Sequence, residues 1–265
     1  MTNITGTTTV FGIVADPIQQ VKTPQLINPL LEQRQVDGVM VPFHVSATEL
    51  PVFLNGLRGM KNLAGLIVTV PHKTSALALC DEVTPAAATV GAVNVIRKDA
   101  SGRFYGDILD GKGFVAGLRS KGIEPRGKSA YLVGAGGAAN AIAFALAEAG
   151  VSSLTLYNRT AAKVQDMIAR IARVYPQLNM SLGTDDPAGF ELVVNATSLG
   201  MAASDPLPVS VANLGAGQIV AEIIMKPERT ALLEAAEKKG CRIHFGLPML
   251  QCQIELMADF MGAGK

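Results

Sequence analysis

The sequence predicts an α/β protein, and two observations carry that prediction. Short apolar runs alternate along most of the 265 residues with segments whose apolar residues recur at helical spacing. Such alternation is the pattern of a mostly parallel sheet covered on both faces. The second observation is Ser129 to Ala139, S-A-Y-L-V-G-A-G-G-A-A, where the apolar run Tyr131-Leu132-Val133 breaks into glycines and passes into an alanine-rich segment. Strand, glycine turn and helix together lift a G-x-G-x-x-A pattern above an ordinary strand–helix turn. Gly134 permits the tight turn, Gly136 lets backbone N–H groups approach a pyrophosphate, and Ala139 allows helix to pack closely on strand. The helix start offers its free N–H groups and positive dipole end to phosphates. A dinucleotide is the ligand this stretch predicts.

Length and composition narrow the class. The chain has room for one large domain or two of about 100–150 residues. An apolar fraction of 49% with 17% charged residues describes a well-cored globular protein. A net charge of +1 gives no electrostatic basis for binding nucleic acid or an anionic membrane. Cys80, Cys241 and Cys252 lack paired or metal-ligand spacing, and His44, His72 and His244 are scattered, so no metal site is predicted. With no basic-then-apolar leader and no apolar run near about 20 residues, the expectation is a cytoplasmic protein.

In chain order, Val10 to Val14 reads as a strand, followed by a helix opening at Pro24 with Thr23 as its N-cap. Leu26, Ile27, Leu30 and Leu31 carry that helix's apolar face. Strands are predicted over 39–43 and 63–70, with helices over 47–57, 74–80 and 85–89. Residues 93–97 and 103–105 form a predicted hairpin around Ser101-Gly102. A helix over 111–121 leads through Pro125 and Gly127 to the dinucleotide strand, and this turn segment is the expected seam between domains. Beyond it, strands are predicted over 154–158, 192–195, 219–223 and 241–245. The corresponding helices are 138–149, 161–174, 230–239 and 249–261.

Eight separated motifs, in order along almost the whole chain, resemble the shikimate dehydrogenases. They are V-T-V-P-H-K at 68–73, G-A-V-N at 91–94, G-D-x-x-D-G-x-G-F at 106–114 and G-A-G-G-A-A at 134–139. N-R-T at 158–160, N-A-T-S-L-G-M at 195–201, K-P-E-R-T-A-L-L at 226–233 and G-L-P-M-L-Q-C-Q at 246–253 complete the set. The resemblance implies an N-terminal α/β substrate domain over 1–110 and a Rossmann-type NAD(P)-binding domain over 111–246, with a cleft between them. It also implies that the helix 247–265 packs back on the first domain. The implied reaction is reversible hydride transfer between NADP or NAD and a ring hydroxyl of a shikimate- or quinate-like acid.

Carried over position by position, the resemblance makes Lys73 and Asp110 the catalytic pair. It places Val21, Thr23, Ile67, Thr69, Asn94, Met225 and Gln253 around the substrate. The cofactor residues are Gly134, Ala135, Gly136, Gly137, Ala138 and Ala139, then Asn158, Arg159, Thr160 and Lys163, and finally Thr197, Ser198, Met201, Gly246 and Met249. An Arg after the second Rossmann strand accommodates a 2′-phosphate, where an Asp or Glu would bind the 2′-hydroxyl of NAD. Arg159 therefore favours NADP, although Lys163, a point charge where the family carries a second Arg, leaves NAD open.

The pocket departs from the family's pattern. Val21 stands at a hydroxyl position of the S-x-S/T-P loop, Ile67 at the Asn of N-x-T-x-P-x-K, and Met225 at a common Tyr. Ile108 and Leu109 replace the Asn-Thr of G-D-N-T-D. Each hydrogen bond lost to a charged carboxylate removes about 1.5–3 kcal/mol. The expected substrate is a less polar or differently oriented relative of shikimate or quinate. The alternative is a catalytically weak nucleotide-binding sensor on the same scaffold. A folate-linked dehydrogenase is disfavoured by the glutamines Gln251 and Gln253 of the last helix and by N-A-T-S-L-G-M. A small-molecule substrate is the expected partner, on a monomer or homodimer, with no nucleic acid or membrane involved.

Overall fold

The structure, a computed structural model, describes residues 4–264. The chain divides into two compact units, Met1–Leu109 with Gln253–Lys265, and Asp110–Cys252.

The first unit contains β1 (Thr9–Ala15), α1 (Thr23–Gln33), β2 (Gly38–His44), α2 (Leu50–Leu57), β3 (Leu63–Val68) and α3 (Lys73–Leu77). It continues through β4 (Glu82–Val83), α4 (Pro85–Val90), β5 (Val95–Lys98) and β6 (Phe104–Asp107). Its six-stranded sheet has the order β2-β1-β3-β5-β6-β4. β1 runs parallel to β2 and β3, but β5 is antiparallel to both β3 and β6, so this sheet is mixed. The reason is local: Asp99 Oδ1 accepts hydrogen bonds from the backbone N–H groups of Ser101 and Arg103, closing the β5–β6 hairpin over Gly102. α1 begins differently from the expectation. Lys22 is its N-cap, no side chain caps it, and Thr23 is the buried first helical residue.

The core of this unit gathers Phe11, Ile13, Ile27, Leu31 and Met40 with Met257, Ala258 and Met261 from the far end of the chain. Gly65 explains the close approach: a Cβ there would stand 2.5 Å from the Ile96 carbonyl oxygen and 2.7 Å from Met261. Arg34 fastens the same C-terminal segment, donating to Asp259 Oδ1 at 2.6 Å and to the Ala263 carbonyl at 3.0 Å.

The second unit contains α5 (Asp110–Ser120), β7 (Ser129–Val133), α6 (Gly137–Ala149), β8 (Ser153–Tyr157), α7 (Ala161–Val174), β9 (Asn179–Leu182) and β10 (Leu192–Asn195). β11 (Ile219–Glu222), α8 (Ala231–Lys238) and β12 (Arg242–His244) follow. The last helix, α9 (Leu247–Phe260), contributes its residues up to Cys252 here and those from Gln253 to the first unit. All strands of this sheet are parallel, in the order β12-β11-β10-β7-β8-β9. The chain builds from β7 outward in one direction, then returns to β10 and builds in the other. The reversal between β7 and β10 is the topological switch point at which open α/β sheets bind ligands, beyond the carboxyl ends of their strands. Two strands escaped the sequence reading. β4 is two residues long, and β9, Asn-Met-Ser-Leu, is a largely exposed edge strand without an apolar run. Among the described residues no helix is long and apolar enough to cross a membrane.

α5 and α6 meet backbone to backbone. A Cβ on Gly111 would collide with the carbonyl of Ala141 and stand 2.7 Å from Ala145 Cβ. Alanine's helix propensity is worth about 1 kcal/mol over glycine, but overpacking against an unyielding backbone costs about 1–3 kcal/mol or more. Gly111→Ala should therefore lower the urea midpoint of unfolding. Gly56→Ala, in α2 with nothing within 4 Å of its missing Cβ, should instead raise it slightly.

Candidate active site

In the first unit, the carboxyl ends of β1 and β3 lie beside the start of β5 and the end of β6, because Ile67 pairs with Val95 and Val95 with Asp107. This edge collects Thr69, Lys73 and Asn94. Lys73 is the half-buried first residue of α3, and its carbonyl accepts from the N–H of Val93 at 2.9 Å, next to Asn94. Asn94 is buried and committed: Oδ1 accepts from the Leu109 N–H at 2.8 Å, and Nδ2 donates to Gln253 Oε1 at 3.4 Å. Asp107 organises the turn, accepting from the Ile108 N–H at 2.8 Å and from the Thr84 hydroxyl. His72 is buried with Nε2 donating to the Val45 carbonyl at 2.8 Å, and burial depresses its pKa. The neutral ring thus anchors the turn that presents Lys73. Asp110, 2% exposed, follows Leu109 directly and opens α5 as the first residue of the second unit.

The apolar replacements converge. Ile67 and Leu109 are 3% and 4% exposed members of the core cluster, and Val21 packs against it. Three positions where the resembled family places polar groups form one continuous hydrophobic body with α1 and Met257. Thr23 is buried at the start of α1, whereas Met225 stands half-buried after β11 in the second unit.

The second unit carries the glycine turn at its switch point. Gly134 has φ +125°, and a Cβ there would lie 2.8 Å from the Ala196 carbonyl oxygen, so only glycine fits between the ends of β7 and β10. Gly136 is the exposed, extended N-cap of α6; no side chain caps the helix and nothing lies within 4 Å of a Cβ built there. Asn140 Nδ2 donates to the Gly136 carbonyl at 2.9 Å, and its Oδ1 accepts from Arg170 on α7 at 2.5 Å. The turn's carbonyls are thereby held back along the helix, while the first-turn N–H groups lack intrahelical acceptors. This cradle fits a pyrophosphate. Arg159, Thr160 and Lys163 are exposed where β8 passes into α7, and no carboxylate stands among Asn158, Arg159 and Thr160.

Beyond β10 the chain makes a turn held from within. Asn195 Oδ1 accepts from the Thr197 N–H at 3.0 Å and hydroxyl at 2.7 Å, and Nδ2 donates to the Leu199 carbonyl at 3.1 Å. Asp205 accepts from the N–H groups of Gly200 and Ala202 at 3.0 and 2.9 Å. Ser198 is exposed and Met201 half-buried on this turn, whereas Gly246 and Met249 are buried. A side chain on Gly246 would collide with the carbonyl of Ile224, so the turn opening α9 rests on the backbone leaving β11.

Two groups that the sequence reading did not single out are buried nearby. Glu222, ending β11, is wholly inaccessible; its Oε2 accepts from the Thr230 hydroxyl at 2.8 Å, and Oε1 lacks a hydrogen-bond partner. Burial pushes its pKa up to about 8. The signal was present as a lone acid in the apolar run I-V-A-E-I-I. His244 in β12 lies edge-on to Phe114, and burial, then Lys121 and Arg242, lowers its pKa to about 4.

These shifts give opposite pH slopes. Between about 4 and 6.5 the unfolded chain protonates His244 and the folded chain does not, so stability rises with pH. Between 4.5 and about 8 the folded chain holds the Glu222 proton and the unfolded chain has released it, so stability falls as pH rises. Glu222→Gln removes only the second slope. The stability of Glu222→Gln relative to wild type should therefore grow from pH 4.5 to 8 and then level off, measured by urea midpoints at successive pH values.

Comparison with known proteins agrees with this architecture. Residues 13–96 match the family described as shikimate dehydrogenase substrate binding domain, and residues 119–200 the family described as shikimate / quinate 5-dehydrogenase. A shikimate dehydrogenase (NADP(+)) of Lysinibacillus sphaericus is 36% identical over 90% of this chain and 87% of its own. A crystal structure of shikimate 5-dehydrogenase from Listeria monocytogenes, in complex with shikimate and NAD, superposes with a TM-score of 0.84 at 32% identity, covering 99% of this chain and 94% of that one. A 5-ketofructose reductase of Gluconobacter is also similar, with a TM-score of 0.80 at 29% identity over 96% of this chain and 92% of that one. An oxidoreductase scaffold with one unit matching a substrate-binding domain and the other a dinucleotide-binding one is thus shared across the length of this protein, and the chain belongs to the shikimate dehydrogenase family.

Proposed function

We propose that this protein is an NADP-preferring oxidoreductase that moves a hydride to and from a ring hydroxyl of a cyclic polyol less polar than shikimate, with NAD as a slower cofactor. The observation that carries this reading is the pairing of a polar strand edge, Thr69, Lys73 and Asn94 with Gln253 hydrogen-bonded to it, with an adjoining apolar body of Val21, Ile67 and Leu109. The first unit holds the substrate and the second the cofactor. Gly134 to Ala139 take the pyrophosphate, Asn158, Arg159, Thr160 and Lys163 the adenosine end, and Thr197, Ser198, Met201, Gly246 and Met249 flank the nicotinamide. The bound cofactor supplies the hydride acceptor. Lys73 and Asp110 form the acid/base pair that takes the hydroxyl proton in oxidation and returns it in reduction. The relative named as a 5-ketofructose reductase supports a neutral, carboxylate-free substrate on this scaffold, since that sugar lacks the acid group that the replaced positions would otherwise bind.

Absorbance at 340 nm, with NADP and NAD against shikimate, quinate, cyclic polyols and keto sugars, tests the reading. Turnover should be faster with NADP and with neutral substrates. A kcat/KM on shikimate of about 10⁴ M⁻¹s⁻¹ or more, an ordinary enzyme value, would show the apolar positions to be tolerated variation. Nucleotide binding without turnover on any member would favour a sensor. Lys73→Ala and Asp110→Asn should each lower kcat by about 10²–10⁴, with a combined loss far from additive. Arg159→Ala should raise KM for NADP much more than for NAD, and equal effects would remove its discriminating role. Val21→Ser with Ile67→Asn should improve shikimate turnover, chiefly through KM.

A further inference from the structure

Glu222 does work that neither the glycine turn nor the acid/base pair explains. Its carboxyl group is fully buried at the carboxyl end of a central parallel strand, with one oxygen lacking a hydrogen-bond partner. An apolar side chain of similar size would fill this space without the cost of desolvating a carboxyl group. Its neighbours on either side show what the group is suited to. On one side Asn195 stands directly opposite in the β10–β11 register, its side-chain amide beside the Glu222 carboxyl. The same amide spans the turn that follows, holding Thr197 and Leu199. On the other side the Thr230 hydroxyl donates a hydrogen bond to Glu222 Oε2 and accepts from the Leu233 N–H at 3.3 Å, capping α8. The far end of the turn passes close to Thr230. A Cβ built on Gly200, at φ +111°, would stand 3.4 Å from Thr230 Cβ and Cγ2 and 3.3 Å from Ile224 Cδ1. Residues 195–200 thus begin at one neighbour of the Glu222 carboxyl group and end close to the other. The turn also borders the glycine cradle, through the approach of Gly134 to the Ala196 carbonyl.

We infer that Glu222 is a positioning residue for hydride transfer: through Asn195 and Thr230 it sets the 195–200 turn at the nicotinamide end of the cofactor, without touching any ligand. The inference rests on the reading of the second unit as the cofactor-binding one. A misplaced nicotinamide affects the hydride-transfer geometry more than the affinity, because the adenosine and pyrophosphate ends bind elsewhere on the sheet. Loss of the carboxyl group should therefore appear in kcat while NADP affinity stays near its original value.

The test compares Glu222→Leu with Glu222→Gln in the full chain, on the best substrate of the 340 nm panel, with NADP affinity measured separately by fluorescence titration of NADPH. Glutamine keeps the shape of the acid and an oxygen to accept from Thr230, so it should restore kcat to within about threefold of wild type. Leucine, unable to hold either neighbour, should lower kcat by about 10–100-fold, the scale of a small misplacement of reacting groups, with NADPH affinity changed less than threefold. Glu222→Met, unbranched, replaces leucine should that variant fail to fold. A folded apolar variant with wild-type kcat overturns the inference, as does an equal loss in the glutamine and apolar variants. Gly134→Val serves as the separate check on the cofactor site. If it leaves NADPH affinity intact, the cofactor reading and this inference fall together. If it abolishes affinity while the apolar variants keep full kcat, only this inference falls.

Discussion

The second unit depends on one close approach of backbone to backbone. At Gly134 the end of β7 comes so near the Ala196 carbonyl that a single added carbon would not fit. That proximity joins the two strands between which the sheet reverses direction, and it leaves the start of α6 uncovered. Asn140 and Arg170 then tie the turn's carbonyl side to α6 and α7. The result is a fixed turn whose main-chain dipoles and open helix start are shaped to receive an anion. Preorganisation of this kind costs nothing at the moment of binding, because the helix end and the turn are already fixed.

Much of this was legible in the residues. Helix 161–174 and strand 192–195 lie where periodicity puts them, because α7 is strongly amphipathic and β10 is an uninterrupted apolar run. The cradle was legible because glycine spacing reports a backbone need directly. What escaped was what apolar pattern cannot encode. β9 is polar and exposed, and pairs only because β8 offers an open edge. The start of α1 slipped by one residue, since Thr23 is an excellent cap by type but lies within the helix and buried. The environment of Glu222 is non-local: its partners Asn195 and Thr230 come from another strand and from the start of a helix, and only the fold reveals that its carboxyl group is sealed.

The two units treat buried polarity differently. In the first, Asn94 spends both ends of its amide on Leu109 and Gln253, and Leu109 joins Ile67 in the apolar core against which Val21 packs. In the second, Glu222 keeps one oxygen without a partner, beneath a turn held by Asn195 and Asp205. A satisfied amide fixes a geometry in low-dielectric surroundings with little penalty. An incompletely satisfied acid carries a standing cost in stability.

The first unit is discontinuous, and this bears on how the chain acquires its structure. Its core needs Met257, Ala258 and Met261, and Arg34 clasps Asp259 and Ala263. On the ribosome, therefore, residues 9–109 emerge with an open hydrophobic face that only a segment made much later can close. The second unit is uninterrupted, and within it Gly117 of α5 packs against Pro248 and Met249, so the points where the chain enters and leaves it are neighbours. Completion of that unit shortens an excursion of well over a hundred residues to a short loop, reducing the entropy of closing the first. Synthesis thus runs from N to C, while completion runs from the inserted unit outward, leaving the nascent N-terminal half as the stretch most exposed to aggregation and to chaperones.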